Sequence, residues 1–177
     1  MGIPFISFLI LAGALLVLSW YRMPLAWARL LLAAGRSHAN LESSQLQTDS
    51  ADWHYLSGGN GPVLLAIHGF GADADNWLKI APELTKQFTV IAPDLPGFGS
   101  TAATDDLAFD INSQVERLHA FVTKLGIRPA VLVGSSMGGW IAATYARRYP
   151  KGIKAIWLLG PLGVSVEGVS PVSYTHL

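Results

Sequence analysis

Residues 134–142 read GSSMGGWIA and follow directly on the apolar run AVLV, Ala130 to Val133. The run has the composition of a buried strand, and Met137 to Tyr149 carries helical spacing. Between them stands a tight turn with Ser136 at its centre. Gly134-Ser135-Ser136-Met137-Gly138 therefore fits Gly-x-Ser-x-Gly in a strand-turn-helix context. The chemistry explains the residue types. A serine on a strained turn is lifted above the sheet edge, and small residues at 134 and 138 let strand and helix approach closely. The amide of Met137, first in the helix, then faces the oxygen of an attacked carbonyl with the helix dipole behind it. Ser136 is the candidate nucleophile.

Working outward, the soluble part alternates strand and helix. WHYLSGGNGPVLLAIHG predicts a short strand, a glycine-rich turn and a fully apolar strand, Val63 to Ile67. Asn76 to Thr85 is read as a helix despite Pro82. FTVIAPD is the next strand. Ile111, Val115, Leu118, Val122 and Leu125 fall at helical spacing, with Asp110 placed to cap the first turn. IKAIWLLG closes the pattern as a strand after the Ser136 helix. Continuous apolar strands between helices imply an α/β fold whose mostly parallel sheet is buried on both faces.

Two further motifs stand at strand ends. His68-Gly69-Phe70-Gly71 follows Val63 to Ile67, and Asp94-Leu95-Pro96-Gly97-Phe98-Gly99-Ser100 follows FTVIAP. His68 has no second ligand at coordinating spacing, so it is expected to hold its loop by a hydrogen bond, and no metal site is expected. Asp94 is expected to tie up amides of the Pro-Gly turn. His119 is read as a helix-surface or packing residue, His54 lies in the first strand and His38 in the linker. None of these three is expected to reach Ser136.

HGFGADADNW, DLPGFGS and GSSMGGWIA, in that order, resemble the α/β-hydrolase superfamily. Within it they resemble the membrane-anchored monoacylglycerol lipases and related bacterial lipases and esterases. The resemblance covers Trp53 to Val164, the N-terminal half of such a domain. It implies an α/β-hydrolase fold and a serine hydrolase acting on esters of lipid-like acyl chains, without a cofactor. Ser136 would be acylated, and the backbone amides of Phe70 and Met137 would receive the oxyanion. His68, Gly69, Gly71, Gly134, Gly138 and Asp94 would support the motifs. Serine at 136 counts against epoxide hydrolases and haloalkane dehalogenases. Carbon–carbon bond hydrolysis and acyl transfer remain open as alternatives.

In that superfamily the acid and the histidine follow the serine in the chain. After IKAIWLLG only PLGVSVEGVSPVSYTHL remains, with Glu167 and His176. One helix and one strand do not hold a cap and the later strands, so no catalytic acid or histidine is expected in this chain, and the chain as given is expected to be inactive. VSYTHL, Val172 to Leu177, can be encoded by GTC TCT TAT ACA CAT CTN, which matches the mosaic end of a transposon used to tag DNA for sequencing. Residues 172–177 are accordingly expected to be adaptor, with the hydrolase portion at 53–171, truncated after the strand that follows the Ser136 helix.

The N-terminus is of another kind. Ile3 to Tyr21 carries no charge and is long enough, as a helix, to approach bilayer thickness, with Trp20 and Tyr21 at its end. A signal peptide fits less well, because no Lys or Arg precedes the apolar run. Residues 1–22 are expected to be a transmembrane anchor, and residues 23–52 a juxtamembrane segment and linker. Met23 to Arg36 either lies amphipathic in the interface or continues the anchor. Leu41 to Ala51 is a linker or an irregular first strand. Arg22, Arg29 and Arg36 favour a cytoplasmic location for the remainder. The expected partners are the membrane and a lipid or small ester substrate. Lys and Arg total 12 against 12 Asp and Glu with no basic face, which argues against nucleic acid. There is no cysteine, so disulfides, thiolate metal sites and a cysteine nucleophile are excluded. The other class of reading is a non-catalytic membrane scaffold that keeps half a hydrolase sheet, at the cost of an exposed apolar edge. The sequence does not report the oligomeric state.

Overall fold

The computed structural model describes residues 3–102 and 108–163. Among these residues six strands form one sheet: β1 (Glu42–Gln47), β2 (Asp52–Gly58), β3 (Val63–Ile67), β4 (Thr89–Pro93), β5 (Val131–Ser135) and β6 (Ala155–Leu159). Their order is β1-β2-β4-β3-β5-β6. The β4-β3-β5-β6 part is parallel, while β2 meets both β1 and β4 antiparallel. The α/β expectation therefore holds, and the sheet takes in Glu42–Gln47, from the stretch read as linker or irregular strand.

β3 shows why an unbroken apolar run is required at the centre. Leu65 and Ile67 join one core cluster and Leu64 and Ala66 the other, all with no exposed surface. Both faces are covered, so neither can carry polar side chains. On the first face lie α4 (Ile111–Lys124) and α5 (Met137–Arg148). Asp110 caps α4 by accepting from the Ser113 amide at 3.1 Å. Val115, Leu118, Phe121 and Val122 of α4 are buried, with Phe121 4.7 Å from the Trp53 ring. The second face is covered by Ala39 and Leu41, a 3-10 turn at Ala74–Trp77 and the short helix α3 (Ala81–Leu84). The continuous helix expected over Asn76 to Thr85 is thus two pieces. Pro82 stands in the first turn of α3, where its missing N–H costs nothing, and cannot sit inside a helix running through it.

N-terminal to the sheet stand α1 (Ile3–Arg22) and α2 (Pro24–His38). Between them the chain bends by 99°, with Pro24 opening α2. The α2 segment is therefore not a straight continuation of α1. Trp27 Nε1 donates to Ser19 Oγ at 3.0 Å, and its ring lies 6.0 Å from that of Trp20, across the bend. The expectation of one membrane-spanning helix over residues 1–22 is not met in that form. Among the described residues no single helix is long and apolar enough to cross a membrane, whereas Ser7–Arg22 and Pro24–His38 pass that test as a bent pair. The far end of α2 is tied to the domain. Arg36 makes two hydrogen bonds of 2.7 Å to Asp75, which raise its pKa above the usual arginine value. Residues 172–177, together with Glu167 and His176, lie outside the described residues.

Candidate active site

The end of β5 turns into α5 at Ser136, whose backbone has φ 52° and ψ −117°. Serine rarely adopts a positive φ, and such a conformation persists only where its surroundings enforce it. Here the enforcement is visible. The Ser136 amide donates to the Leu159 carbonyl at 2.9 Å, and its carbonyl accepts from the amides of Gly139 and Leu162 at 3.0 and 3.1 Å. A Cβ on Gly134 would stand 2.2 Å from the Gly138 carbonyl oxygen. One on Gly138 would stand 2.2 Å from that of Ile67 and 2.4 Å from that of His68. Both glycines of the motif are thus required by backbone approach. Met137 opens α5, where the first amides have no acceptor within the helix.

The loop after β3 lies against this turn. A Cβ on Gly69 would meet the Ser135 carbonyl oxygen and Ser136 Cβ, both at 3.2 Å. Gly71 has φ 71°, and the Phe70 side chain stands exposed with its ring edge-on to Phe98 at 5.5 Å. His68 is fully buried beneath. Its Nδ1 donates to the Gly69 carbonyl at 2.7 Å, and its Nε2 accepts from the Leu95 amide at 2.9 Å. These bonds fix the neutral tautomer, and burial pushes the ring's pKa down, against the pull of the Gly69 bond. The imidazole therefore staples the loop after β3 to the loop after β4.

Asp94, just past β4, is 2 % exposed. Its Oδ1 accepts from the Ala74 amide at 2.7 Å, and its Oδ2 from the Ser100 amide and from His54 Nδ1, both at 2.8 Å. Asp94 therefore holds the far end of the loop after β4 and the segment leading into the 3-10 turn, whereas the amides of the Pro-Gly turn itself, Gly97 and Phe98, donate to the Thr101 and Leu95 carbonyls. A Cβ on Gly99 would overlap this carboxylate at 2.3 Å. The pairing with His54 has no signal in the sequence. It arises because β2 and β4 run antiparallel with Tyr55 opposite Pro93, which sets His54 opposite Asp94.

Among the described residues no histidine is hydrogen-bonded to Ser136. His54 and His68 are engaged as above. His119 stacks on Tyr149 at 3.6 Å, with its Nδ1 3.2 Å from the Tyr145 hydroxyl, whose pKa burial lifts to about 12. His38 ends α2. Among the same residues no group of three or more His, Asp or Glu side chains could hold a metal ion.

Comparison with known proteins gives this geometry a family. The chain is 37 % identical over 138 residues to Lipase 1 of Psychrobacter immobilis, a match covering 76 % of this chain and 43 % of that lipase. It is 40 % identical over 110 residues to the human monoacylglycerol lipase ABHD6, covering 60 % of this chain and 32 % of that protein. A crystal structure of a membrane phospholipase A, described as a bacterial virulence factor, superposes with a TM-score of 0.81 at 38 % identity, over 94 % of this chain and 55 % of that one. The chain spans less than half the length of these two curated relatives. Residues 62–173 match the family described as alpha/beta hydrolase fold, a stretch that takes in the Ser136 turn and both of its supporting loops, and the chain belongs to that family.

Proposed function

We propose that Ser136 is the nucleophile of a membrane-anchored serine hydrolase that cleaves carboxylic esters of lipid-like substrates through an acyl-enzyme. The observation that carries this reading is the strained backbone of Ser136 at the head of α5, with Gly69 packed against its Cβ. Attack by Ser136 Oγ on the ester carbonyl moves negative charge onto the carbonyl oxygen. The amides of Met137 and Phe70 would receive it, the first with the helix dipole behind it. The hydroxyl proton would pass to a histidine and on to the leaving alcohol, and water would then cleave the acyl-serine. The similar proteins named as lipases support the ester chemistry.

The bent helix pair supplies the anchor. Ser7–Arg22 and Pro24–His38 reach the length and apolarity for a membrane only together, as a pair bent by 99°, so α1 and α2 would embed as one unit. Support comes from the match to the membrane phospholipase A. The 6 % of this chain that it leaves out is less than α1 alone, so the match includes part of that helix. An anchored domain meets its substrate at the surface where the lipid is dissolved.

The test begins with a long sequencing read through the codon for Pro171. A frame that continues to an acid and a histidine gives a product to assay on monoacylglycerols and short esters. Ser136→Ala in that product should lower kcat by ~10⁶, the scale seen when a nucleophilic serine is removed. The 177-residue chain should give no turnover that depends on Ser136. Ester turnover by the longer product that survives Ser136→Ala would reject the assignment.

A further inference from the structure

The hydrogen bonds that begin at Asp94 do not stop at His54. His54 Nε2 lies 2.8 Å from the hydroxyl of Ser43, on the edge strand β1. Gln45 is paired with His54, so Ser43 is the diagonal neighbour on the same face. A carboxylate only accepts, so His54 Nδ1 carries a proton toward Asp94; in the neutral imidazole Nε2 then offers a lone pair and the Ser43 hydroxyl is the donor. In that state the chain of bonds runs from serine to imidazole to carboxylate. Burial is graded along it. Asp94 is 2 % exposed, His54 7 %, and Ser43 is exposed to solvent. The Ala74 and Ser100 amides keep Asp94 from turning away. A nucleophile bonded to a base that a third group orients is the general arrangement for activating a hydroxyl. β4 and β3 stand between β2 and β5, so this group is separate from Ser136.

We propose that Ser43, His54 and Asp94 form a second nucleophilic site, at which Ser43 is acylated by small activated esters and phosphonylated by fluorophosphonates. His54 Nε2 takes the hydroxyl proton as Ser43 Oγ bonds the acyl carbon. The ester C–O bond breaks, and the alcohol leaves with that proton. With a fluorophosphonate the O–P bond forms, the P–F bond breaks, fluoride leaves and the proton passes through the imidazole to water. Ser43 borders an open recess of about 490 Å³ lined also by Arg36, Ser37, Asn40 and Glu42, which suits a small polar acyl group better than a long chain. Ser43 stands in an extended strand with no helix beginning at it. Its acylation should therefore run some ~10²–10³ slower than at a serine backed by an oxyanion hole.

The test uses the full chain carrying Ser136→Ala, treated with a fluorophosphonate and digested for peptide mass spectrometry. Ser43 should be modified at least ~10-fold faster than Ser44 beside it, a gain at the low end for a positioned general base. The rate should fall on acidification, because a protonated imidazole has no lone pair with which to take the hydroxyl proton. His54→Gln should remove the advantage of Ser43 over Ser44. The pH profile needs no change at buried His54, so it decides the matter even if that variant unfolds. No modification at Ser43, a rate equal to that of Ser44, or a rate independent of pH overturns the proposal. Ester turnover by the longer product, with and without Ser136→Ala, reports separately on the function proposed above.

Discussion

Among the described residues the sheet has two edges, and they are built in opposite ways. β1, ESSQLQ, is polar, pairs antiparallel and alternates in exposure, with Ala39 and Leu41 buried just before it. β6, AIWLL, is apolar throughout, and Ile156, Trp157, Leu158 and Leu159 are each 40–48 % exposed. Its composition is that of β3, whose Leu64 to Ile67 are wholly covered. A strand with apolar side chains on both faces is suited to a place inside a sheet. β1 is suited to an edge, where charge and short polar side chains discourage further pairing. The contrast teaches that an apolar run states what environment a strand requires, while the covering itself comes from elsewhere in the chain.

The largest effect that sharpens the contrast is in core truncation. Leu65→Ala on β3 should cost about 2–5 kcal/mol, and Leu158→Ala on β6 less than about 1 kcal/mol, as read from urea midpoints. Equal costs would mean that β6 is as well covered as β3 in solution. Next comes association. Trp157→Lys should raise the monomeric fraction in size-exclusion chromatography, and Gln45→Lys on β1 should leave it unchanged. A gain from Gln45→Lys would break the comparison. Third is the tie between α2 and the domain on the β1 side. Arg36→Gln removes a half-buried bidentate pair and should cost about 1 kcal/mol after solvent screening, less in high salt. The smallest effect is in pH. Unfolded chains protonate histidine near pH 6.5, about the usual value, whereas buried His68 takes its proton only at lower pH. Its contribution to stability is full above that value and is lost as pH falls through the lowered folded one. The urea midpoint should therefore drop on acidification, with a shallower slope in His68→Gln.

These contrasts also measure what the sequence disclosed. β3, β4 and β5 were legible because strands buried on both faces admit only apolar residues. The Ser136 turn was legible because its glycines answer to backbone clashes at Gly134 and Gly138. β1 was harder to read, since a polar edge strand resembles a linker. The split between the 3-10 turn and α3 was missed because Trp77, Ile80 and Leu84 hold helical spacing across the break that Pro82 enforces. The pairing of His54 with Asp94 was invisible for a different reason. The two stand 40 residues apart, and only the register of β2 on β4 joins them.

The contacts at Gly138 have a consequence for engineering. Its missing side chain lets α5 rest on the carbonyls of Ile67 and His68, as that of Gly69 lets the neighbouring loop rest on Ser136. The segments are therefore packed backbone to backbone, and a library that varies either would alter both. Side chains at residues 134 and 138 would meet backbone oxygens at 2.2 Å, whereas one at residue 69 would need a shift of only a few tenths of an ångström. Phe70 projects outward from the same assembly, so its side chain can be varied while the backbone packing is left intact.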